Sequence, residues 1–217
     1  MSRESGLVAC LCVVLAALAV SGWQPQDRLT WLMEVMPVLI AVPILLATYR
    51  RFPLTTLVYG LLAAHALVLI LGGHYTYARV PLGFWLQDGL HLARNPYDKI
   101  GHFAQGFVPA MLAREILLRG RYVRTPRMRA FLVLCVVLAI SATYELIEWQ
   151  AAVLLGGSAT DFLGTQGDPW DTQSDMGFAL LGGVAALMLL SGVHDRQLAR
   201  RVSRDRAPRS QAQPLRD

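Results

Sequence analysis

The sequence predicts an all-α, polytopic membrane protein of about six transmembrane helices, with both termini in the cytoplasm. Three observations lead there. Hydrophobic residues make up 54% of the 217 positions, and the mean hydropathy is +0.42. Those residues gather into long uninterrupted runs, where a soluble domain of this size would alternate apolar and polar faces. The basic residues collect in short segments between the runs and in the tail.

Crossing a hydrocarbon core of ~30 Å at 1.5 Å per residue takes about 20 residues. Six runs approach that length: 6–21, 32–49, 54–71, 99–118, 130–155 and 173–193. The first ends in Ala19-Val20-Ser21, a passable signal-peptide cleavage site, but a lone Arg3 gives it a thin basic flank; an uncleaved helix is expected. Between the third and fourth runs, residues 81–95 interleave Leu82, Phe84, Trp85, Leu86, Leu90 and Leu92 with Gln87, Asp88, His91 and Arg94. That stretch is too polar to cross and is expected to lie on the outer membrane surface. Residues 1–195 form one transmembrane domain, and the Arg-, Ser- and Gln-rich residues 196–217 are expected to be a disordered cytoplasmic tail.

Orientation follows from charge. Of the 20 Lys and Arg, 15 fall at the N-terminus, in the second and fourth loops counted inward, and in the tail. The alternate loops hold only Arg28, Arg79, Arg94 and Lys99, and Arg114 lies near the inner end of the fourth run. This split places both termini inside. The net charge of +5 is therefore a topology signal, and no nucleic-acid partner is expected. Cys10, Cys12 and Cys135 lie inside apolar runs without metal-like spacing and read as small buried hydrophobes.

Ionisable residues inside spans each need a reason. His65 suits a packing residue, Glu34 a headgroup-facing position, and the neighbours Arg114 and Glu115 snorkelling at the inner end. The others concentrate. In the fourth run Asp98, His102 and Gln105 are spaced i, i+4, i+7 on one helix face, and Pro109 frees the carbonyl of Gln105. The fifth run ends with Glu145 and Glu148 three apart, and Asp171 and Asp175 open the sixth at i, i+4. With the predicted topology all of these meet at the outer face. Residues 130–193 contain no Lys or Arg yet hold six carboxylates, Glu145, Glu148, Asp161, Asp168, Asp171 and Asp175. Such a group requires Lys99, His102, shared protons, a divalent metal ion or a cationic ligand. His102, Glu145, Glu148, Asp171 and Asp175 are the candidate catalytic set, with Asp98, Gln105 and Asp168 in support. His102, Glu145, Glu148 and Asp175 are the candidate ligands of a metal, of the Zn²⁺, Mn²⁺ or Fe²⁺ class for His with carboxylates and Ca²⁺ or Mg²⁺ for oxygens alone.

The pattern Asp98-Lys99-x-x-His102-Phe103-x-Gln105-Gly106-Phe107, with Arg114-Glu115 after it, resembles the YjdF family of bacterial inner-membrane proteins. So do Tyr144-Glu145-x-x-Glu148-Trp149 and the stretch from Phe162 through Gly167-Asp168-x-Trp170-Asp171 to Asp175-Met176. The resemblance covers the second to sixth spans and implies a multipass protein of the bacterial inner membrane, without implying a particular reaction. A looser likeness reaches VanZ-like membrane proteins, from which this chain departs by Glu148 and the Gly-Asp-x-Trp-Asp loop.

The expected function is an enzyme acting on a lipid or lipid-linked small molecule at the outer face, by acid–base chemistry or through a metal. An ion-coupled carrier is the alternative, suggested by the intramembrane acids and by Pro37, Pro43 and Pro109 breaking two spans. A scaffold presenting Gly177, Gly182 and Gly183 to another membrane protein is a third.

The topology makes the first prediction. A cysteine placed at Ser158, in a background lacking the native three, reacts with an impermeant thiol reagent on intact cells. Labelling only after permeabilisation would overturn the orientation.

Overall fold

The computed structural model describes residues 3–155 and 166–206, so Ser158 and Asp161 of the sequence argument lie outside the described residues. It consists of helices α1 (Arg3–Ser21), α2 (Arg28–Thr48), α3 (Thr56–Tyr75), α4 (Pro81–Leu90), α5 (Tyr97–Arg119), α6 (Pro126–Leu155) and α7 (Asp171–Arg206), with a 3-10 turn at Tyr77–Arg79. Five of them, α1, α2, α3, α6 and α7, are long and apolar enough to cross a membrane. The sixth expected span is α5. At 23 residues it is ~34 Å long, but its charged residues keep its hydropathy low.

That polarity is tolerable because α5 sits in the middle. It packs against α7, α6 and α3, while α1 and α2 cover the far side of α3. The large exposed apolar side chains lie instead on the outer helices, among them Val20, Ile44, Phe131 and Met188, as expected where lipid is the solvent. Small residues set the closest approach. A Cβ on Gly106 would collide with the backbone of Ala179, and one on Gly182 with the carbonyl of Phe103. Gly182 and Gly183 are thus used inside the bundle, not on a face open to another protein. Met111, Val133, Val137, Ala179 and Ala186 complete a core between α5, α6 and α7 with no exposed surface.

The prolines do not break their helices: α2 continues through Pro37 and Pro43, and α5 through Pro109. Inside a bilayer no water competes for the freed carbonyls, so unwinding the helix would cost more than the missing bond. Asp27 caps α2 by accepting the Thr30 N–H at 2.7 Å, a bond that holds its carboxyl below the usual carboxylate range.

Three expectations are corrected. Cys10, Cys12 and Cys135 are exposed, since a thiol is apolar enough to face lipid. The chain does not leave the helix at 196. Instead α7 runs on to Arg206, with side chains that find backbone partners in the turn after α2 and in the first turn of α3. Gln197 accepts the Leu57 N–H at 3.0 Å and Arg201 donates to the Pro53 carbonyl. Residues 207–217 lie outside the described residues. Arg114 and Glu115 do not snorkel. Glu115 is fully buried and accepts from Thr55 through both its N–H (3.0 Å) and its hydroxyl (2.8 Å), from Arg119 (2.9 Å) and from His194 Nε2 (3.1 Å). Arg114 donates to His194 Nδ1 (2.7 Å) and to Asp195 (2.9 Å). This clamp fastens α3, α5 and α7 at the end of the bundle opposite the candidate site.

The α5–α7 contact generates a stability prediction. Gly106→Val drives a branched side chain into the Ala179 backbone, at a cost of about 3 kcal/mol, or roughly 6–12 °C in melting temperature. Gly177→Ala, where a Cβ meets nothing within 4 Å, leaves the melt unchanged. Equal melting of the two variants would refute the packing.

Candidate functional site

Two loops and three helix ends bring the polar residues together. Gln166, just before α7, exchanges two hydrogen bonds with the backbone of Asn95: it accepts the N–H at 3.2 Å and donates to the carbonyl at 3.0 Å. This pairs the strand of chain entering α7 with the one entering α5. Arg94 then reaches Asp168 (2.8 Å) and Asp171 (2.9 Å). Lys99, in the first turn of α5, bonds Asp171 at 2.7 Å and Asp175 at 2.6 Å, and its ammonium lies 3.6 Å from Asp98. Asp98 and Asp171 both occupy first turns, where the positive helix end favours a carboxylate.

His102 is the centre of the buried part. Its Nδ1 lies 3.2 Å from Gln105 Oε1. In the tautomer that carries its hydrogen on Nδ1, this carbonyl oxygen accepts it. Nε2 then points at two carboxylates, with Asp98 Oδ1 at 3.5 Å and Asp175 Oδ1 at 3.8 Å. These separations are longer than good hydrogen bonds. A bare lone pair facing two carboxylates is repulsive, so a cation belongs there: a proton on Nε2 or a metal ion shared by all three. Asp98, His102 and Asp175 each offer a ligand atom within 4.8 Å of the others, and all three are buried. Two buried carboxylate oxygens nearby, Asp98 Oδ2 and Glu145 Oε1, have no hydrogen-bond partner. Glu145 Oε1 is 3.8 Å from His102 Nδ1.

Next to His102 is a cavity of about 20 Å³, lined by Glu34, Tyr77, Asp98, Gln105, Tyr144 and Glu148 among others. That is room for one water or one ion. Outside the charged layer, a groove of about 550 Å³ runs between the α4–α5 loop, α5 and α7. Its size falls in the range of small-molecule sites.

Every described residue of the sequence-derived set lies in this region, in three groups. Asp98, His102, Gln105, Glu145 and Asp175 surround the imidazole. Glu148 lines the small cavity. Asp168 and Asp171 face Arg94 and Lys99 on the outer side. The group within metal-ligand reach contains Asp98, which the sequence reading placed in support, and omits Glu145 and Glu148. Sequence reasoning missed Glu34, which does not face headgroups: it is 3% exposed and accepts a bond from Tyr144 at 3.2 Å. An acid in an otherwise apolar span was the available signal. It also missed Arg94 as a counter-charge, having assigned it to the surface segment. His65 stands apart, its Nε2 buried without a hydrogen bond.

The comparisons with known proteins agree with this architecture. A family model described as "Predicted membrane protein (DUF2238)" matches residues 6–196. The chain is 62% identical over 183 residues to "Inner membrane protein YjdF" of Escherichia coli (strain K12), covering 84% of this chain and 88% of that one. No solved structure matches.

The ion-pair geometry predicts an asymmetric response at Lys99. Lys99→Met strands Asp175, leaves Asp171 to Arg94 alone and costs about 3–5 kcal/mol, lowering the melt by roughly 6–20 °C. Adding Asp175→Asn recovers part of that loss, because the second change removes the stranded charge. A Lys99→Met protein as stable as the parent would show that the pairs contribute nothing.

Proposed function

The chain belongs to the DUF2238 family of predicted membrane proteins, and from that premise we propose that it is a multipass inner-membrane enzyme with a divalent-metal centre at Asp98, His102 and Asp175. Its substrate is a lipid or lipid-linked molecule presented at the outer face. The inner-membrane placement follows the name of the Escherichia coli relative. The outward position of the site follows the basic-residue split.

One observation supports the metal above the rest: Nε2 of His102, unprotonated if the ring is neutral, faces two carboxylate oxygens at 3.5 and 3.8 Å. Neighbouring donors around an ion with ~2.1 Å bonds lie about 3.0–3.4 Å apart, so the three groups would have to draw in from their present separations of up to 4.8 Å to complete the coordination. Gln105, by accepting from Nδ1, acts as the outer-shell partner that fixes the imidazole tautomer. A nitrogen with carboxylates suits Zn²⁺, Mn²⁺ or Fe²⁺, any of which lowers the pKa of a bound water and makes it a nucleophile near neutral pH. Glu145 and Glu148, close by and without a basic partner on their own helix, are the groups placed to take a proton from that water or from a substrate hydroxyl.

A carrier is the second reading, and one observation favours it. The buried Glu115–His194 pair puts a titratable cluster at the other end of the same two helices, α5 and α7. Against it, residues 106–113 and 176–193 contain no ionisable side chain, and Ala110, Met111, Ala179 and Ala186 pack there with no exposure. An ion would have to cross that layer unaided.

The enzyme reading predicts close to one equivalent of transition metal in purified protein, lost in His102→Ala and Asp175→Asn. His102→Ala and Glu145→Gln each abolish the cellular function, and the double change does little further harm, since members of a catalytic unit are strongly non-additive. The melt of Glu145→Gln, which removes a charge from the cluster, stays within a few degrees of the parent. Loss of function proportional to loss of stability, or no metal retained after incubation with Zn²⁺, Mn²⁺ and Fe²⁺ in turn, would overturn it.

A further inference from the structure

The 550 Å³ groove is chemically two-sided. Its long wall is apolar, built from Leu92, Ile100, Phe103 and Phe178. Phe103 is braced from behind by stacking on Phe107, with ring centroids 5.7 Å apart. Among the described residues the other wall carries two ionisable side chains, Arg94 and Lys99, both basic, and no carboxylate. The acids that neutralise these cations, Asp168, Asp171 and Asp175, are not among the side chains that line the groove.

We infer that this groove seats an anionic phospholipid, with its phosphate against Arg94 and Lys99 and its acyl chain along Ile100, Phe103 and Phe178. Three features argue for that occupant. The charge on the groove wall is complementary to a phosphate, and Arg and Lys are its usual partners. Both cations are already held in place by two carboxylates each, so little side-chain freedom is lost when an anion arrives. The groove also lies beside α4, whose exposed Trp85 and Leu90 mark that level as the membrane surface, where a lipid has its headgroup. Leu92 and Phe178, both more than a third exposed, form the rim by which a chain enters sideways from the leaflet.

Lys99 belongs to both compartments. It lines the groove, and the same ammonium bonds Asp175 at 2.6 Å, whose carboxylate is 3.8 Å from His102. A phosphate on Lys99 would therefore be one side chain away from the buried centre. This assignment deepens the enzyme reading and rests on it for any reaction of the bound lipid. The binding itself is measured separately.

The test uses purified full-length protein in detergent with tail-labelled phosphatidylglycerol and phosphatidylcholine as probes, and metal analysis of the same samples. The parent protein is expected to bind phosphatidylglycerol at least tenfold more tightly than phosphatidylcholine. Arg94→Gln should reduce that preference to under twofold. Phe178→Trp, which keeps the charges and narrows the groove, should weaken both lipids at least fivefold. Equal binding of the two lipids by the parent protein, or a preference unaltered in both variants, would overturn the groove and leave only annular lipid. Displacement of the labelled phosphatidylglycerol by millimolar inorganic phosphate alone would also overturn it, making the occupant a free anion. A protein that holds metal but shows no lipid preference sinks this inference and spares the centre. Lipid preference without metal does the opposite.

Discussion

A bilayer leaves a carboxylate no water to turn to, and this bundle buries Glu34, Asp98, Glu145, Glu148, Asp171 and Asp175 at one end. The rest of the structure at that end answers the resulting shortage of positive charge. Lys99 is shared by two acids and approaches a third, and Arg94 is drawn in from the surface segment to hold two. His102 sits between three carboxylates. Unpaired, any one of these acids would cost several kcal/mol, so their positions are strongly coupled.

The same shortage explains the place of α5. A helix carrying Asp98, Lys99, His102, Arg114 and Glu115 would be a poor lipid-facing span. Surrounded by α3, α6 and α7, it needs no apolar exterior. Small residues then let α7 come close enough for its acids to reach the α5 bases: Gly106 and Gly182 take the backbone contact, and Lys99 meets Asp171 and Asp175 two turns above. At the other end the Arg114–His194–Glu115–Thr55 clamp ties the same helices to the start of α3. The bundle is thus pinned by polar groups at both ends and by close packing between them.

How much of this the sequence disclosed depends on what kind of information each feature needs. Hydropathy locates a residue along the membrane normal, so the helical class, the span positions and the common level of Asp98, His102, Glu145 and Asp175 were legible. Helix periodicity put Asp98, His102 and Gln105 on one face, and they are adjacent to one another in the fold. Neither signal says which way a face points around the bundle. Glu34 was therefore read toward headgroups when it faces His102's cavity, and the cysteines were read inward when they face out. Arg94 and the continuation of α7 to Arg206 were illegible for a related reason. Both depend on partners far along the chain, Asp168 and Asp171 in one case and the Pro53–Leu57 turn in the other. Local charge and composition carry no trace of such pairings.

The two empty volumes near the cluster divide the chemistry by size. The inner one, about 20 Å³ and walled by Glu34, Tyr144 and Glu148, admits a water or an ion and no organic group. Anything larger must stay in the outer groove, separated from His102 by the layer of Lys99 and its carboxylates. On the proposed reading, a nucleophilic water and a substrate would then reach the centre from opposite sides. An in-line displacement needs attacking and leaving groups in that opposed arrangement. It also gives Lys99 two tasks that conflict in the resting protein, neutralising Asp175 and receiving an anion. On the same reading, an anion at Lys99 would compete with Asp175 for the ammonium, leaving that carboxylate to the cation proposed between His102 and Asp98. A lysine between a groove and an acid cluster would then couple occupancy of one to the charge state of the other.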